Sequence, residues 1–346
     1  MKYELPMHPE EVTKRLFSVL PKRTKDILDQ RFGLGKNSSR MTLEAIGQKY
    51  DITRERVRQI EADGFSRIKK SPMFQEMKGV FVALERYFED HGKVLREEKV
   101  LKTLASHPKH ENHVYFLLSL HDPFSRYHES EDMHDRWAYG EGAHDQAKQA
   151  LDGAVSELKK IGKPVDGPKL FEILSSSAKN VLGGSNAVSP ALLTNWLELS
   201  KVISKNYFDE WGLVDFPEIK PRGVRDLSHV VLLRHGSPLH FSEVADQIGK
   251  LTGKKVHVQT VHNELIKDDR FVLVGRGLYG LCDWGYIPGV VKDVIIAVLK
   301  KDGPMSKEKI VDAVLKQRFV KPNTVVINLD NKKYFKKLPD GRYHTK

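Results

Sequence analysis

Apolar positions in residues 20–70 recur every three or four residues, which is the spacing of helices, and short polar stretches interrupt them. Thr42 is placed to cap a helix over residues 43–49, in which Leu43 and Ile46 face a core. The polar residues after this helix indicate a short turn. The stretch therefore predicts an amphipathic helix that ends in a tight turn.

A second helix is predicted to begin at Arg54, directly after another capping residue, Thr53. Its apolar positions define a buried stripe made of Val57, Ile60, Gly64 or Phe65, and Ile68. The other face presents four polar side chains in the first two turns, namely Arg54, Glu55, Arg58 and Gln59. Upstream, residues 24–32 predict a supporting helix that Gly33 and Gly35 end. This order predicts a helix-turn-helix.

A helix-turn-helix lays its second helix in the major groove of DNA, and the N-terminal turns of that helix reach the base edges. Arginine can fork onto guanine, glutamine onto adenine, and glutamate can accept a hydrogen bond from cytosine. The same side chains also occur on ordinary solvated helices, so a charged surface without a DNA role is the alternative. The ordered pair of capped helices favours DNA binding.

Three blocks in this order, RFGL, MTLEAIG and TRERVRQIEA, resemble region 4 of the housekeeping-type bacterial sigma factors. The resemblance implies binding to duplex DNA at a −35-like promoter element and docking on the β flap of RNA polymerase. The implied readers of bases and phosphates are Arg54, Glu55, Arg58 and Gln59. Arg31 and Thr42 are implied to contact the DNA backbone. Thr53 and Arg56 are the other implied DNA-binding residues.

The sequence departs from the sigma-factor pattern in two ways. After the QIEA block it has Asp63-Gly64-Phe65, where the family usually has a basic or small residue and then Ala-Leu; the glycine costs helix stability. No segment resembles the aromatic-rich region that melts the −10 element, and the stretch before the motif is too short to contain one. We therefore expect a chain that is not a complete sigma factor.

The rest of the chain contains four segments that begin alike, at Gly92, Gly162, Gly236 and Asp302. Their starts lie 70, 74 and 66 residues apart, and each has a turn, a short apolar element and an amphipathic helix. Ser242 and Ser306 are expected to cap that helix in the third and fourth segments. The corresponding domains are expected at residues 79–142, 143–220, 221–286 and 287–346, after a first domain at 1–78.

In the last two segments a further helix and a hairpin should follow. The third has a helix over residues 258–266 and strands over 271–274 and 278–282, and the fourth a helix over 323–330 and strands over 333–337 and 342–345. The second segment is looser, with a strand near Tyr207-Phe208. Three helices and a hairpin make a winged helix, and GSPLHFSEVADQI through RGLYGL resembles the HARE-type winged helix of the polymerase delta subunit. For the first two segments, unrelated helical packing is the alternative.

The predicted fold class is thus mainly α with small β-hairpin wings, a helix-turn-helix followed by tandem winged helices. Net charge is +11, distributed as +6 in residues 1–78, −4 in 79–161, −1 in 162–221 and +10 in 222–346. Basic ends suit phosphate contact, although lysine-rich faces also serve solubility. Candidate secondary DNA contacts are Lys254, Lys255, Arg276, Lys332, Lys333, Lys336, Lys337 and Arg342. The acidic middle is assigned to spacing or protein contacts.

Several function classes are disfavoured. A single cysteine, Cys282, excludes an internal disulfide or a cysteine metal cluster, and no apolar run has membrane-spanning length. We expect no secretory signal, no cofactor, no metal, no small-molecule substrate and a cytoplasmic, nucleoid-associated protein. Gly275-x-Gly277-x-x-Gly280 matches a dinucleotide fingerprint but lies at a hairpin with no following helix. A histidine-rich stretch fits no standard metal-ligand spacing; it contains His121, His128, His134 and His144.

The leading hypothesis is a non-enzymatic bacterial transcription protein that binds specific duplex DNA through its sigma-like helix-turn-helix. The second is an RNA polymerase accessory protein that docks on the polymerase core through protein contacts and need not touch DNA. A third, a nuclease that uses these modules for targeting, has little support because no acidic metal-binding triad or other catalytic arrangement is evident. Binding assays and a metal-dependent cleavage assay would separate the three.

Overall fold

The computed structural model describes residues 3–35, 39–105, 107–184 and 188–346. The protein is mainly helical and carries small antiparallel sheets of two or three strands, which confirms the predicted fold class. In the described part of the chain, no helix is both long and apolar enough to span a bilayer.

The chain divides into two compact units. Unit 1 comprises residues 1–204 and 211–213, and unit 2 comprises residues 205–210 and 214–346. The helices of unit 1 are α1 (Pro9–Phe17), α2 (Lys22–Phe32), α3 (Leu43–Tyr50), α4 (Arg54–Lys69), α5 (Pro72–Glu76), α6 (Lys78–Asp90), α7 (Glu97–Ala105), α8 (Glu111–Leu120), α9 (Ala143–Ile161), α10 (Gly167–Val181) and α11 (Pro190–Leu197). Its strands are β1 (Val94–Arg96), β2 (Phe124–Tyr127), β3 (Arg136–Tyr139), β4 (Ile203–Lys205) and β5 (Trp211–Leu213).

One apolar core in unit 1 joins helices α1, α2 and α4 to helices α6, α7 and α8. At its centre the ring of Phe116, on α8, lies 5.2 Å from that of Phe17 on α1 and 5.3 Å from that of Phe32 on α2. Phe65 of α4 contacts the same ring at 5.9 Å. Aromatic pairs at these spacings add to the stabilisation that burial gives. Helix α8 therefore supports the helices of the predicted helix-turn-helix.

Unit 2 contains two helical bundles, each with its own apolar core. The first is built from α12 (Val224–His235), β6 (Leu239–His240), α13 (Phe241–Thr252), α14 (Val258–Lys267), β7 (Phe271–Leu273) and β8 (Leu278–Leu281). The second is built from α15 (Val291–Asp302), α16 (Lys307–Leu315), α17 (Pro322–Leu329), β9 (Phe335–Lys337) and β10 (Tyr343–Thr345). The hairpins β7–β8 and β9–β10 are the predicted ones, shortened at their ends.

The four segments that begin alike share one local structure. A glycine in the left-handed region lies at the start of each, at Gly92, Gly162, Gly236 and Gly303, with φ of 94°, 68°, 72° and 78°. An apolar residue two or three positions later pairs with an aromatic residue of a later strand: Leu95 with Trp137, Val165 with Trp211, Leu239 with Tyr279, and Met305 with Tyr343. A helix then follows, namely α7, α10, α13 or α16. The repeated sequence openings therefore correspond to repeated backbone structure.

The helix caps of the last two segments differ in how well they were predicted. Ser306 caps α16 as expected, since its Oγ accepts a hydrogen bond from the backbone N–H of Lys309 at 3.4 Å. Ser242 does not cap α13, and that prediction is wrong. The cap is His240, whose ring accepts from the N–H of Ser242 while the Glu243 carboxylate accepts from the N–H of His240 at 3.0 Å. The helix begins at Phe241 because this reciprocal box satisfies its first N–H groups.

The strand predicted near Tyr207-Phe208 is also wrong, because these residues form the connection between β4 and β5. The side chain of Asn206 accepts hydrogen bonds from the backbone N–H groups of Phe208 and Glu210, at 2.8 and 3.0 Å. A short polar side chain that bonds the backbone just ahead of it favours a turn over an extended strand.

Candidate nucleic-acid interface

Helices α3 and α4 form the predicted helix-turn-helix, with both predicted caps in place. Thr42 Oγ1 accepts a hydrogen bond from the N–H of Ala45, and Thr53 Oγ1 accepts one from the N–H of Arg56, each at 3.1 Å. Helix α3 ends at Asp51, which adopts the left-handed conformation with φ 51° and ψ 48°. Three residues thus separate the helices, and both helix starts are fixed by threonine side chains.

Two glycines allow the helices of this motif to approach closely. A β-carbon on Gly47 would lie 2.7 Å from the backbone oxygen of Ile52, so the turn after α3 requires a residue without a side chain there. A β-carbon on Gly64 would lie 3.0 Å from side-chain carbons of Thr24 and Leu28 on α2. Gly64, where the sequence departs from the sigma-factor pattern, is therefore the point at which α4 packs tightly on α2.

A small core holds α2, α3 and α4 together. Ile27, Ile46 and Val57, one from each helix, are fully buried against each other. The predicted stripe of α4 faces inward, since Val57, Gly64 and Ile68 are buried and Ile60 and Phe65 are half-buried. The opposite face of α4 is therefore left to solvent, which is the orientation that a DNA-reading helix needs.

The four predicted reading residues, Arg54, Glu55, Arg58 and Gln59, are all exposed in the first two turns of α4. Arg58 donates two hydrogen bonds to the Glu55 carboxylate, at 2.9 and 2.7 Å. Arg56 donates to Gln59 Oε1 at 3.1 Å. The reading face thus carries two i, i+3 pairs between exposed side chains.

The Arg58–Glu55 pair also sets the charge of this face. The hydrogen bond from Arg58 lowers the pKa of the Glu55 carboxyl, and the same bond raises the pKa of Arg58. Glu55 is therefore an ionised acceptor and Arg58 a donor at neutral pH. Both side chains remain more than half exposed, 57% and 63% respectively, so a base or phosphate can compete for them.

Arg31 and Thr42 occupy positions inside the motif's framework. Arg31 donates to Glu61 Oε2 at 3.3 Å and to the backbone oxygen of Met41 at 3.2 Å, which links α2 to α4 and to the chain before α3. Thr42 uses its side-chain oxygen as the cap described above. Arg31 and Thr42 were predicted to contact the DNA backbone. Both residues therefore also help to hold the motif together.

Arg23, at the start of α2, was not predicted from the sequence. Arg23 lines a groove of about 570 Å³ with Arg56 and Gln59 of α4. The first turn of α2 has no acidic residue and carries Lys22 and Arg23 instead. Positive charge at a helix N-terminus is electrostatically unfavourable. The basic start of α2 is therefore a sequence signal that could have pointed to Arg23 as a candidate for phosphate contact. Arg23 extends the basic face towards α2.

The secondary candidates lie in unit 2 and fall into several groups. Lys332, Lys336 and Lys337 line one groove of about 340 Å³, together with Lys346, which the sequence analysis missed. Lys254 and Lys255 line a different groove beside α13, and Arg276 is exposed in the β7–β8 turn. Lys333 lies 5.4 Å from the ring centre of Tyr334, and Arg342 is paired with Asp340. The first groove thus brings four lysines together, and the groove beside α13 brings three, because Lys250 lines it as well.

Gly277, the middle glycine of the fingerprint at 275–280, is explained by the turn in which it lies and by a close contact. Gly277 occupies the β7–β8 turn with φ 69°, and a β-carbon there would collide with the ring of His240. The glycine is therefore required by the turn and by the neighbouring helix cap.

The histidine-rich stretch is dispersed over separate contacts. His121 bonds Glu85 Oε1 at 2.6 Å, whereas His144 stacks on Tyr127 with ring centres 3.7 Å apart. Among the described residues, three potential metal ligands do approach each other elsewhere, at His8, Glu10 and His110. The spacing of these three in the sequence gave no indication of a site, because His110 is separated from the other two by about a hundred residues.

With this geometry, residues 16–70 define a recognisable class of domain: they match the family model of Sigma-70, region 4. Over 59 residues the chain is 42% identical to the RNA polymerase sigma factor RpoD of Neisseria gonorrhoeae, covering 17% of this chain and 9% of that protein. Over 72 residues it is 36% identical to SigA of Clostridium acetobutylicum, covering 21% and 18% respectively. Over 68 residues it is 40% identical to RpoD of Helicobacter pylori (strain 26695), covering 19% and 10%.

The sigma-factor resemblance seen in the sequence is thus confirmed for this domain. The chain spans between 9% and 18% of the length of these relatives. The similarity is therefore evidence about a single domain.

Proposed function

We propose that this protein binds specific duplex DNA and acts in transcription, with α4 of its Sigma-70 region 4 domain as the reading helix. The observation that carries the proposal is the exposed set Arg54, Glu55, Arg58 and Gln59 on the N-terminal turns of α4. The relatives that share this domain are named as RNA polymerase sigma factors. The proposed DNA target is a −35-like promoter element, and the proposed role is binding, without catalysis.

The domain's packing supports this use of α4. The apolar faces of the motif are already covered within unit 1, by the small core and by Phe116 of α8. The polar face of α4 is the one left open, and Arg23 and Arg56 add positive charge beside it. A phosphate backbone is attracted to such a surface through release of its counterions.

Unit 2 is proposed to supply further, sequence-independent DNA contacts through winged helices. The order helix, strand, helix, helix and hairpin in α12 to β8 supports a winged helix of the HARE type there. The second bundle has the same order of helices and hairpin and carries the groove of Lys332, Lys336, Lys337 and Lys346. Lysines in a groove neutralise phosphates without reading bases.

RNA polymerase core is the proposed protein partner, because the curated relatives are polymerase sigma factors. The proposed consequence of this association is that the region 4 domain modifies transcription initiation. A polymerase pull-down from cell extract, done with and without nuclease treatment, tests this part of the proposal. Loss of the association after nuclease treatment would show that DNA alone bridges the two proteins.

The test of DNA reading substitutes Arg58 and Gln59 by alanine in the full chain. Sequence preference between a −35-like duplex and a scrambled duplex should fall roughly ten- to hundredfold, because both exposed side chains are proposed to contact base edges. Arg67→Ala is the matched control, since Arg67 lies on the same helix, is similarly exposed and forms a similar ion pair with Asp63. Equal loss in the control, or unchanged preference in the double variant, would show that the reading residues are wrongly assigned.

A further inference from the structure

Three side chains with metal-binding chemistry meet at the junction of α1 and α8 in unit 1. His8 precedes α1, Glu10 lies in its first turn, and His110 directly precedes α8. One ligand atom from each of the three lies within 4.8 Å of the other two. The two imidazole rings are 4.3 Å apart and nearly perpendicular. The site therefore joins two parts of the chain that are distant in sequence.

The buried partner of this cluster has an unused ring nitrogen. His110 is only 7% exposed, and its Nδ1 is buried and makes no hydrogen bond to any described residue. The same nitrogen lies 3.4 Å from Glu10 Oε2. Nearby, His113 has a second buried Nδ1 that lacks a hydrogen bond within the described chain. A buried polar atom without a partner is costly, so an additional species at this place would satisfy it.

The spacing fits a small divalent ion. Metal–ligand bonds of about 2.0–2.2 Å in tetrahedral geometry put neighbouring ligand atoms about 3.3–3.6 Å apart. The 3.4 Å between His110 Nδ1 and Glu10 Oε2 matches one edge of such a tetrahedron. Lys14 pairs with the other carboxylate oxygen, Oε1, at 2.7 Å, which leaves Oε2 directed to His110. The ligand atom of His8 lies within 4.8 Å of the other two, so it must approach them by up to about an ångström to complete the site.

We propose that His8, Glu10 and His110 form a zinc-binding site. Two imidazole nitrogens and one carboxylate oxygen are a donor set that Zn²⁺ accepts, whereas Mg²⁺ and Ca²⁺ prefer oxygen ligands alone. A solvent molecule completes the fourth position. The ion fastens the start of α1 to α8, which packs on the helix-turn-helix through Phe116. Zinc therefore stabilises unit 1 and leaves the reading face of α4 unchanged.

The framework around the site is rigid enough to hold ligands in place. Val12 and Leu16 of α1 are fully buried in the core that also contains α8. Pro9, between His8 and Glu10, is buried as well and fixes its own backbone angle. The ligands are thus attached to packed elements, so binding does not require an ordering step of the backbone.

The test is calorimetric titration of ZnCl₂ into the full-length protein after treatment with EDTA and removal of the chelator. One equivalent of zinc should bind, and His8→Ala and Glu10→Gln should each weaken that binding by at least about tenfold. Both residues lie at the surface end of the cluster, so both variants should fold. His128→Ala is the control, because the His128 side chain is 83% exposed and lies outside the ligand set, and this variant should bind zinc like the parent protein.

Thermal unfolding provides a second readout. Saturating zinc should raise the unfolding temperature of the parent protein and of His128→Ala, and it should have much less effect on His8→Ala and Glu10→Gln. Preference for the −35-like duplex should be the same with and without zinc. Absence of stoichiometric binding would overturn the proposal. Binding that persists at full strength in both ligand variants would also overturn it, because the metal would then reside on other histidines.

Discussion

Gly47 provides a sharp test of how the reading helix is positioned. The residue lies in α3, and a β-carbon on it would sit 2.7 Å from the backbone oxygen of Ile52 in the turn. A normal contact of about 3.4 Å would require the turn to move by several tenths of an ångström, because the neighbour is backbone and cannot rotate away. Gly47→Ala should therefore displace α4 relative to α3.

The magnitude follows from two opposing effects. Overpacking of a close backbone contact costs about 1–3 kcal/mol, and replacing a helical glycine by alanine returns about 0.5–1 kcal/mol. The difference between these ranges is about 0–2.5 kcal/mol, so Gly47→Ala should destabilise the motif by roughly 1.3 kcal/mol, the middle of that range. Gly79→Ala is the matched control: Gly79 is also helical, in α6 of the same unit, and has open space where its β-carbon would be. That variant should stabilise by about 0.5–1 kcal/mol.

Amide hydrogen exchange followed by mass spectrometry measures this effect locally. Peptides covering residues 43–69 should exchange about tenfold faster in Gly47→Ala, since each 1.4 kcal/mol corresponds to a factor of ten. Peptides from unit 2 should exchange as in the parent protein. Parent-like exchange over residues 43–69, combined with unchanged DNA affinity, would refute the argument that Gly47 is needed for the turn.

Three further outcomes are expected. Phe116→Ala should destabilise unit 1 by about 3–5 kcal/mol in thermal or urea unfolding, because its ring contacts three helices of the core. Burial lowers the pKa of His229, assisted by the charge of Arg270. Stability of unit 2 should therefore fall as pH drops below about 6.5, and His229→Gln should reduce that dependence. Glutamine at Lys332, Lys336 and Lys337 should lower the salt slope of DNA binding by up to about 0.9 per lost phosphate contact.

Much of the motif was predictable because its signals are local. Threonine caps, apolar spacing and glycines located α3 and α4, and the structure placed Thr42 and Thr53 at the predicted helix starts. The repeat was also visible from its glycine openings, which need a left-handed backbone conformation. Such features depend on residues within a few positions of each other.

Features that depend on tertiary packing were harder to predict from the sequence. The prediction of Ser242 as a cap was wrong because the ring of His240, two residues earlier, and Glu243 form the capping box. Arg23 and Lys346 became candidates only when grooves placed them beside other basic side chains. The His8–Glu10–His110 cluster required knowledge of how α1 packs on α8. Sequence spacing carries no information about such pairs.

Whether the Sigma-70 region 4 domain reads DNA sequence is the central question, and one measurement addresses it most directly. The full-length protein is titrated against duplexes with a −35-like element and against scrambled duplexes over a salt series. The account predicts tighter binding to the element at every salt concentration, with affinity for both duplexes falling steeply as salt rises. Equal affinity for the two duplexes, or absence of binding at moderate salt, would contradict it.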